Sequence, residues 1–265
     1  LIAVIRNIEF LKNKVEFIEP KIIEGKAKIA EPDDVLNYVL DKFGRSSVLS
    51  GKNILITAGP TMEPIDTVRV LTNQSSGKTG VLLAKEMISA GGKVTMVYGP
   101  GTEKPPKGAK VIPVNTVQQM FDAVKKELGR KKFDIVILSA APADYTTIPI
   151  KSKIKSDKPN LIIKLQKAPK IIDSIKKLQK GVFLVGFKAE TNITKQKLVE
   201  SAKNKMKESN SDMIIANDIG LKYQRNRELN QVIIIDKSGR ITESGRKNKS
   251  EISKFIRKQI EMKIF

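Results

Sequence analysis

Along the chain the apolar positions switch between two periods. Short continuous apolar runs at Ile54-Leu55-Ile56-Thr57, Val94 to Tyr98, Val111 to Val114 and Ile135-Val136-Ile137-Leu138 read as strands buried on both faces. Between them, Gly77 to Ala90 and Val117 to Leu128 carry apolar residues at helical spacing. Ser75 or Ser76 caps the first of these helices, and Gly91-Gly92 stops it. The rhythm continues through helix 170–179, strand 182–187, helix 195–208 and strand 213–216. Val232 to Asp236 and Arg240 to Thr242, joined by Ser238-Gly239, predict a hairpin, and a last helix spans about 249–262. This alternation predicts an α/β fold with a doubly wound, Rossmann-like parallel sheet and ligands at the carboxyl ends of its strands. A Lys-rich segment, 151–165, and the hairpin 231–242 break the rhythm. They are expected to form a small β-rich accessory or dimerisation unit.

The first fifty residues follow another pattern. Residues 1–34 are polar and mixed, without a strong period. Val35 to Phe43 has helical spacing behind the acidic start Glu31-Pro32-Asp33-Asp34, and Gly44 to Gly51 reads as a linker. The division expected is therefore a tail with linker over 1–50 and one catalytic domain over 51–265. The chain opens on Leu1 rather than Met, as a piece of a longer protein would.

Composition narrows the chemistry. The 265 residues include no Cys, His or Trp. That excludes thiol nucleophiles, Ser-His catalysis, disulfides and Cys/His zinc sites, and leaves groups suited to phosphate and Mg²⁺. No apolar run approaches the ~18 residues of a membrane span. The opening Leu-Ile-Ala-Val-Ile is too short for a signal peptide and meets Arg6 at once, so a cytoplasmic location without membrane contact is expected. The formal charge of +21 has two readings, a polyanionic partner or a Lys-rich solvated surface. With 5% aromatic residues and no nucleic-acid motif, nucleic acid is disfavoured, and a few lysines serve small anionic substrates.

The densest stretch is GPTMEPIDTVRVLTNQSSGKTG, Gly59 to Gly80. Gly77-Lys78-Thr79 resembles the end of a P-loop, but Thr72 stands where that motif needs Gly, and G-x-G-x-x-G is missing after the first strand. What remains is a Ser75-Ser76-Gly77 turn opening a helix, which is either a plain cap or an anion site, with Arg69 and Asn73 just upstream. After strand 135–138 come small residues and an acid, Ser139-Ala140-Ala141-Pro142-Ala143-Asp144-Tyr145. Lys151, Lys153 and Lys155 alternate as on one face of a strand, whether a solvated edge or a phosphate contact. Phe187, in Gly186-Phe187-Lys188-Ala189-Glu190-Thr191, is either core or a platform for a base.

In this order the segments resemble the phosphopantothenate–cysteine ligase (phosphopantothenoylcysteine synthetase) family of coenzyme A biosynthesis. The resemblance runs from about Gly51 to the end. It rests on the Gly-Pro-Thr…Asn-x-Ser-Ser-Gly run, Ala-Ala-x-Ala-Asp-Tyr, Lys-x-Lys, Lys-x-Pro, Gly-Phe-x-Ala-Glu-Thr and Ala-Asn-Asp at 216–218. Residues 7–45, with Phe17-Ile18-Glu19-Pro20 and Gly25 to Pro32, resemble the tail of the flavin-dependent decarboxylase fused ahead of this ligase in many microbes. The family's catalytic cysteine is absent there, so no flavin and no decarboxylation are expected of this chain.

The resemblance implies a two-step reaction. The carboxylate of 4′-phosphopantothenate attacks the α-phosphate of CTP, giving an acyl-cytidylate and pyrophosphate; the amine of L-cysteine then displaces CMP. It implies Mg²⁺ with CTP, and Asn73 and Lys153 as catalytic residues. Arg69, Asn73, Ala140, Ala141 and Asp144 would bind the pantothenate substrate, with Arg69 reaching the site of the partner in a homodimer. The nucleotide would meet Ser75, Ser76, Gly77, Ala140, Asp144, Lys153, Pro169, Lys170, Ile171, Ile172, Phe187 and Lys205, and Asp144 would stand near the metal. Two departures stand out: the usual Lys-x-Lys-Lys reads Lys153-Ile154-Lys155-Ser156, and a further nucleotide lysine falls near Ser209, with Lys207 the nearest substitute. An ATP-using ligase, an NAD(P)-binding reductase and a nucleic-acid-binding module are the rival readings.

Overall fold

The computed structural model describes residues 2–11, 15, 18, 20–23, 26–30, 35, 38–39, 48–157, 159–220 and 229–264. Two units emerge, Leu1–Ser46 and Ser47–Phe265. The first contains helix α1 (Ile2–Leu11) and an antiparallel hairpin of β1 (Lys21–Ile23) and β2 (Lys26–Lys28). Both were missed in the sequence, although Ile2, Ile5, Ile8 and Leu11 recur at helical spacing. Val35, Tyr38 and Val39 are helical as expected; the rest of the helix 35–43, and the linker up to residue 47, lie outside the described residues. From 48 to 50 the expected linker is a turn whose Leu49 is fully buried in the core of the second unit.

The second unit is built on an eight-stranded sheet. Its parallel strands are β3 (Asn53–Ala58), β6 (Lys93–Tyr98), β7 (Lys110–Pro113), β8 (Ile135–Leu138), β11 (Phe183–Glu190) and β12 (Met213–Asp218). Across the sheet they lie in the order β7-β6-β3-β8-β11-β12, the 3-2-1-4-5-6 order of dinucleotide-binding folds. Alternation within each strand feeds both faces. Ile54, Ile56, Ile135 and Ile137 join a core under α2 (Lys78–Ser89) and α6 (Lys249–Glu261). Leu55 and Val136 join the core on the other side, under α3 (Val117–Arg130) and α4 (Ile172–Leu178), and α5 (Lys195–Ser209) packs on β12. Helices on both faces explain why these strands read as unbroken apolar runs.

The expected accessory unit is not where the sequence put it. β14 (Ile233–Asp236) pairs antiparallel with β12 and with β15 (Ile241–Glu243), so this hairpin extends the main sheet. Ile233, Ile234 and Ile235 are all buried, as a strand covered on both faces requires. Residues 151–155 form bends and irregular chain rather than a strand, so their lysines share no strand face. Among the described residues of this unit, three small antiparallel ladders stand apart from the sheet: β4 (Met62–Pro64) with β5 (Val70–Thr72), β9 (Tyr145–Thr147) with β10 (Leu165–Lys167), and β13 (Leu229–Asn230) with β16 (Lys247–Asn248).

Candidate active site

The connections leaving β3 and β8 diverge to opposite sides of the sheet, which opens a crevice at the carboxyl ends of these neighbouring strands. A cleft of about 610 Å³ lies there. Thr57 and Leu138 come from β3 and β8, Phe187 and Ala189 from β11, and Asn217 from β12. Of the residues expected from the sequence, the cleft brings together Asn73, Ala140, Ala141, Asp144, Pro169, Lys170, Ile171, Ile172, Phe187 and Lys205. Arg69, Ser75, Ser76, Gly77 and Lys153 are not among its lining residues.

The first of these connections, between β3 and α2, carries the β4–β5 hairpin as an insertion. This resolves the missing glycine fingerprint. Gly59 ends the strand with φ 81°, Gly77 caps the helix in the left-handed region with φ 81°, and Gly80 lies where a Cβ would stand 2.4 Å from Ala58 Cβ. The tight turn at Gly59 and the close helix–strand packing at Gly80 match two of the three roles of the dinucleotide fingerprint, here split by the hairpin, while Gly77 serves the helix entry. Gly77, rather than Ser75 or Ser76, is thus the cap residue. The serines still shape the turn: Ser76 Oγ accepts from Lys78 N–H at 3.2 Å and Ser75 Oγ from Gly77 N–H at 3.4 Å. Gln74 and Thr79, on either side, line the cleft.

Asn73 and the loop after β8 are joined directly. The Asn73 amide donates to the carbonyls of Ala141 and Pro142 at 3.2 and 3.1 Å. Thr61 Oγ1 accepts from Ala143 N–H at 3.0 Å on the same loop. Small residues here let a ligand meet backbone. Asp144 is exposed and ion-paired with Lys170. Lys205, on α5, lies 3.5 Å from Asp173 and 3.6 Å from Glu208. Among the described lining residues, three lysines (170, 205 and 249) face a single carboxylate, a balance that favours an anionic ligand. Phe187 combines its two candidate roles, half-buried against the main core while lining the cleft.

No cation takes the place expected near Ser209. That side chain is buried, with its hydroxyl 2.6 Å from Ser211 Oγ and donating to the Lys205 carbonyl at 2.7 Å, while Lys207 is exposed. Sequence reasoning also missed Thr79, Asn217, Asn230 and Lys249 as lining residues. Asn217 stands in the Ala-Asn-Asp motif and Thr79 in the Gly59–Gly80 stretch, which were the available signals; Asn230 and Lys249 carry none.

Arg69 lies 2.5 Å from the buried carboxylate of Asp66 and donates to the Ile154 carbonyl at 3.2 Å. Burial pushes the Asp66 carboxyl up, but N–H donors from Ile154, Val68 and Arg69 and the guanidinium together hold it well below the usual carboxylate range. Lys153 itself is exposed. Among the described residues no three acids cluster to hold a metal ion by themselves. No helix among them is long and apolar enough to cross a membrane.

Comparison with known proteins agrees with this layout. Residues 49–263 match the family described as DNA/pantothenate metabolism flavoprotein C-terminal domain. The coenzyme A biosynthesis bifunctional protein CoaBC of Thermococcus kodakarensis is 44% identical over 218 residues, 80% of this chain and 53% of that protein. Its counterpart in Borreliella burgdorferi is 39% identical over 263 residues, 95% of this chain and 65% of that one. A crystal structure of the C-terminal domain of a CoaBC protein superposes with a TM-score of 0.69 at 35% identity, covering 83% of this chain and 98% of that one. The chain thus spans about half the length of the Thermococcus relative. With 49–263 matched and the cleft built from the motifs of that stretch, the chain belongs to the family of DNA/pantothenate metabolism flavoprotein C-terminal domains.

Proposed function

We propose that residues 51–265 are a phosphopantothenate–cysteine ligase of cytoplasmic coenzyme A biosynthesis, and that 1–50 are the tail of a decarboxylase domain with its linker. The observation that carries this reading is the convergence of Asn73, Ala140, Ala141, Asp144, Phe187 and Lys205, from separate motifs, on one cleft at the sheet's switch point. The bifunctional coenzyme A biosynthesis proteins among its relatives support both halves.

In this reading the carboxylate of 4′-phosphopantothenate attacks the α-phosphate of CTP and pyrophosphate leaves. The amine of L-cysteine then attacks the acyl carbon, CMP leaves and an amide forms. Phe187 offers a face to the base, Pro169 to Ile172 border it, and Lys170 and Lys205 neutralise phosphate charge. Ser75, Ser76 and Gly77 present the start of α2 to an anionic group. Asn73, by holding the carbonyls of Ala141 and Pro142, shapes the wall against which the acyl-cytidylate lies. Lys153 adds a point charge to the triphosphate from the neighbouring segment.

Magnesium fits such a site as a passenger on the triphosphate, because it is commonly held by one or two carboxylates plus substrate phosphates. Asp144 is the carboxylate the cleft offers among its described residues, and it would exchange Lys170 for the ion. When bound, the ion neutralises triphosphate charge. A homodimer is supported by exposed apolar side chains concentrated on two segments, Val68 to Leu71 and Tyr145 to Leu165, with Ile162 92% exposed.

The test is pyrophosphate release with 4′-phosphopantothenate under CTP, ATP, GTP or UTP. CTP with Mg²⁺ should release pyrophosphate before cysteine is added, with final product only afterwards. A tenfold advantage of ATP in kcat/KM, about 1.4 kcal/mol, would overturn the nucleotide assignment.

A further inference from the structure

Two segments more than seventy residues apart run side by side next to the cleft. Pro60 bridges Ala141 in parallel fashion. Farther along, Glu63, 1% exposed, accepts from the Thr146 hydroxyl at 2.8 Å, and with its other oxygen from Val117 N–H at the start of α3 at 2.9 Å. The Thr147 hydroxyl donates to the Pro64 carbonyl, and Ile150 N–H to the Ile65 carbonyl at 3.0 Å. The last rung differs in kind. Asp66 Oδ2 accepts from Ile154 N–H at 3.1 Å and stands 2.5 Å from Arg69 Nη1, which itself donates to the Ile154 carbonyl at 3.2 Å. Both polar backbone groups of Ile154 are therefore held by one ion pair. The other carboxylate oxygen accepts from Val68 and Arg69 N–H at 2.7 Å each, which locks the carboxylate into its own turn.

Around Ile154 the chain is irregular, and Lys151, Lys153 and Lys155 are exposed. Among the described residues, the hydrogen bonds that fix 151–157 both fall on Ile154. We propose that Asp66 and Arg69 are positioning residues: they clamp the backbone at Ile154 and so hold Lys153 where its ammonium meets the nucleotide's phosphates. This rests on the reading of Lys153 as a nucleotide lysine. Arg69 then acts within its own chain, whatever it also offers a partner. Fixing the backbone beside a flexible side chain lowers the entropy lost when that side chain engages its ligand. A carboxylate is required at 66 because all four contacts are donors. An amide there would turn an N–H against an N–H.

The experiment compares the full chain with Asp66→Asn, Arg69→Lys, Lys153→Gln and the double variant Asp66→Asn/Lys153→Gln. Hydrogen exchange is read at Ile154 and in β8, and pyrophosphate release gives kcat and KM for CTP. Both clamp variants should exchange Ile154 at least tenfold faster with β8 unchanged, and raise KM for CTP more than kcat falls. Lys153→Gln should leave Ile154 exchange at the wild-type rate. The double variant should be no worse than Lys153→Gln alone, because a clamp has nothing left to position. Wild-type exchange at Ile154 in both clamp variants, or losses that multiply in the double variant, would overturn the proposal. If Asp66→Asn loosens β8 as well, the milder Arg69→Lys decides. Wild-type turnover in Lys153→Gln would sink the role of Lys153 instead, and faster Ile154 exchange would then leave the clamp standing without it.

Discussion

Replacing Gly80 by Ala should destabilise the protein and damage the site, whereas the same change at Gly129 should stabilise it. Gly80 is buried in the first turn of α2, where a Cβ would lie 2.4 Å from Ala58 Cβ and 2.6 Å from Ser139 Oγ. Carbon contacts become comfortable at about 3.5 Å, so helix and sheet must part by about 1 Å. Such overpacking costs about 1–3 kcal/mol. The higher helix propensity of Ala offsets at most about 1 kcal/mol of that. A contact as short as 2.4 Å puts the cost in the upper part of that range, and the resulting net loss of about 1–2 kcal/mol lowers Tm by about 2–8 °C in a domain of this size. At Gly129, exposed in α3, a Cβ meets nothing within 4 Å and only the propensity gain remains, about 0.5–1 kcal/mol and a Tm rise of about 1–4 °C. The displacement at Gly80 also carries Thr79 and the Ser75–Gly77 turn with it. A misplacement of about 1 Å is enough for a hundredfold loss of rate, so pyrophosphate release should fall at least tenfold. Thermal melts followed by circular dichroism, with the activity assay alongside, decide the matter. Shifts of the same sign at both glycines would refute the close-packing argument.

Two further outcomes follow from the site and from the buried carboxylates. Phe187→Leu keeps an apolar side chain against the core but removes the ring. KM for CTP should rise about 5- to 160-fold, from a stacking contribution of about 1–3 kcal/mol, with Tm within about 3 °C of wild type; an unchanged KM would exclude a base platform. Asp236 is pushed up by burial, but hydrogen bonds from Lys263, Ser238 and Arg240 hold its carboxyl below the usual range, as Asp66 is held by its own donors. A folded pKa below the unfolded one means stability fully present above about pH 4 and lost as pH falls through the folded values. Tm should be nearly flat from pH 7 to 5 and decline below about pH 4, less steeply in Asp236→Asn; a Tm that rises on acidification would contradict the assignment.

The apolar runs at 54–57 and 135–138 determined a great deal alone. A strand covered by helices on both faces cannot carry polar side chains, so its burial is written in consecutive residues, and with the intervening helical periods it announces a parallel sheet and its order along the chain. The motifs around Asn73, Asp144 and Phe187 were equally legible, because each stands at a strand's carboxyl end or the entry to a helix. Period says which faces are buried, not what they are buried against. Ile233 to Ile235 therefore read as a hairpin, yet only pairing with β12 shows that they extend the main sheet. The glycines at 59, 77 and 80 matched no fingerprint until the hairpin between them folded out of the way. Lys153 had no strand to sit on, and what holds its neighbour is a carboxylate 88 positions away. Contacts across such separations depend on chain closure and on the sum of many local fits. The tertiary structure therefore decided which of the expected residues share a cleft and which, like Arg69, are bonded outside its lining.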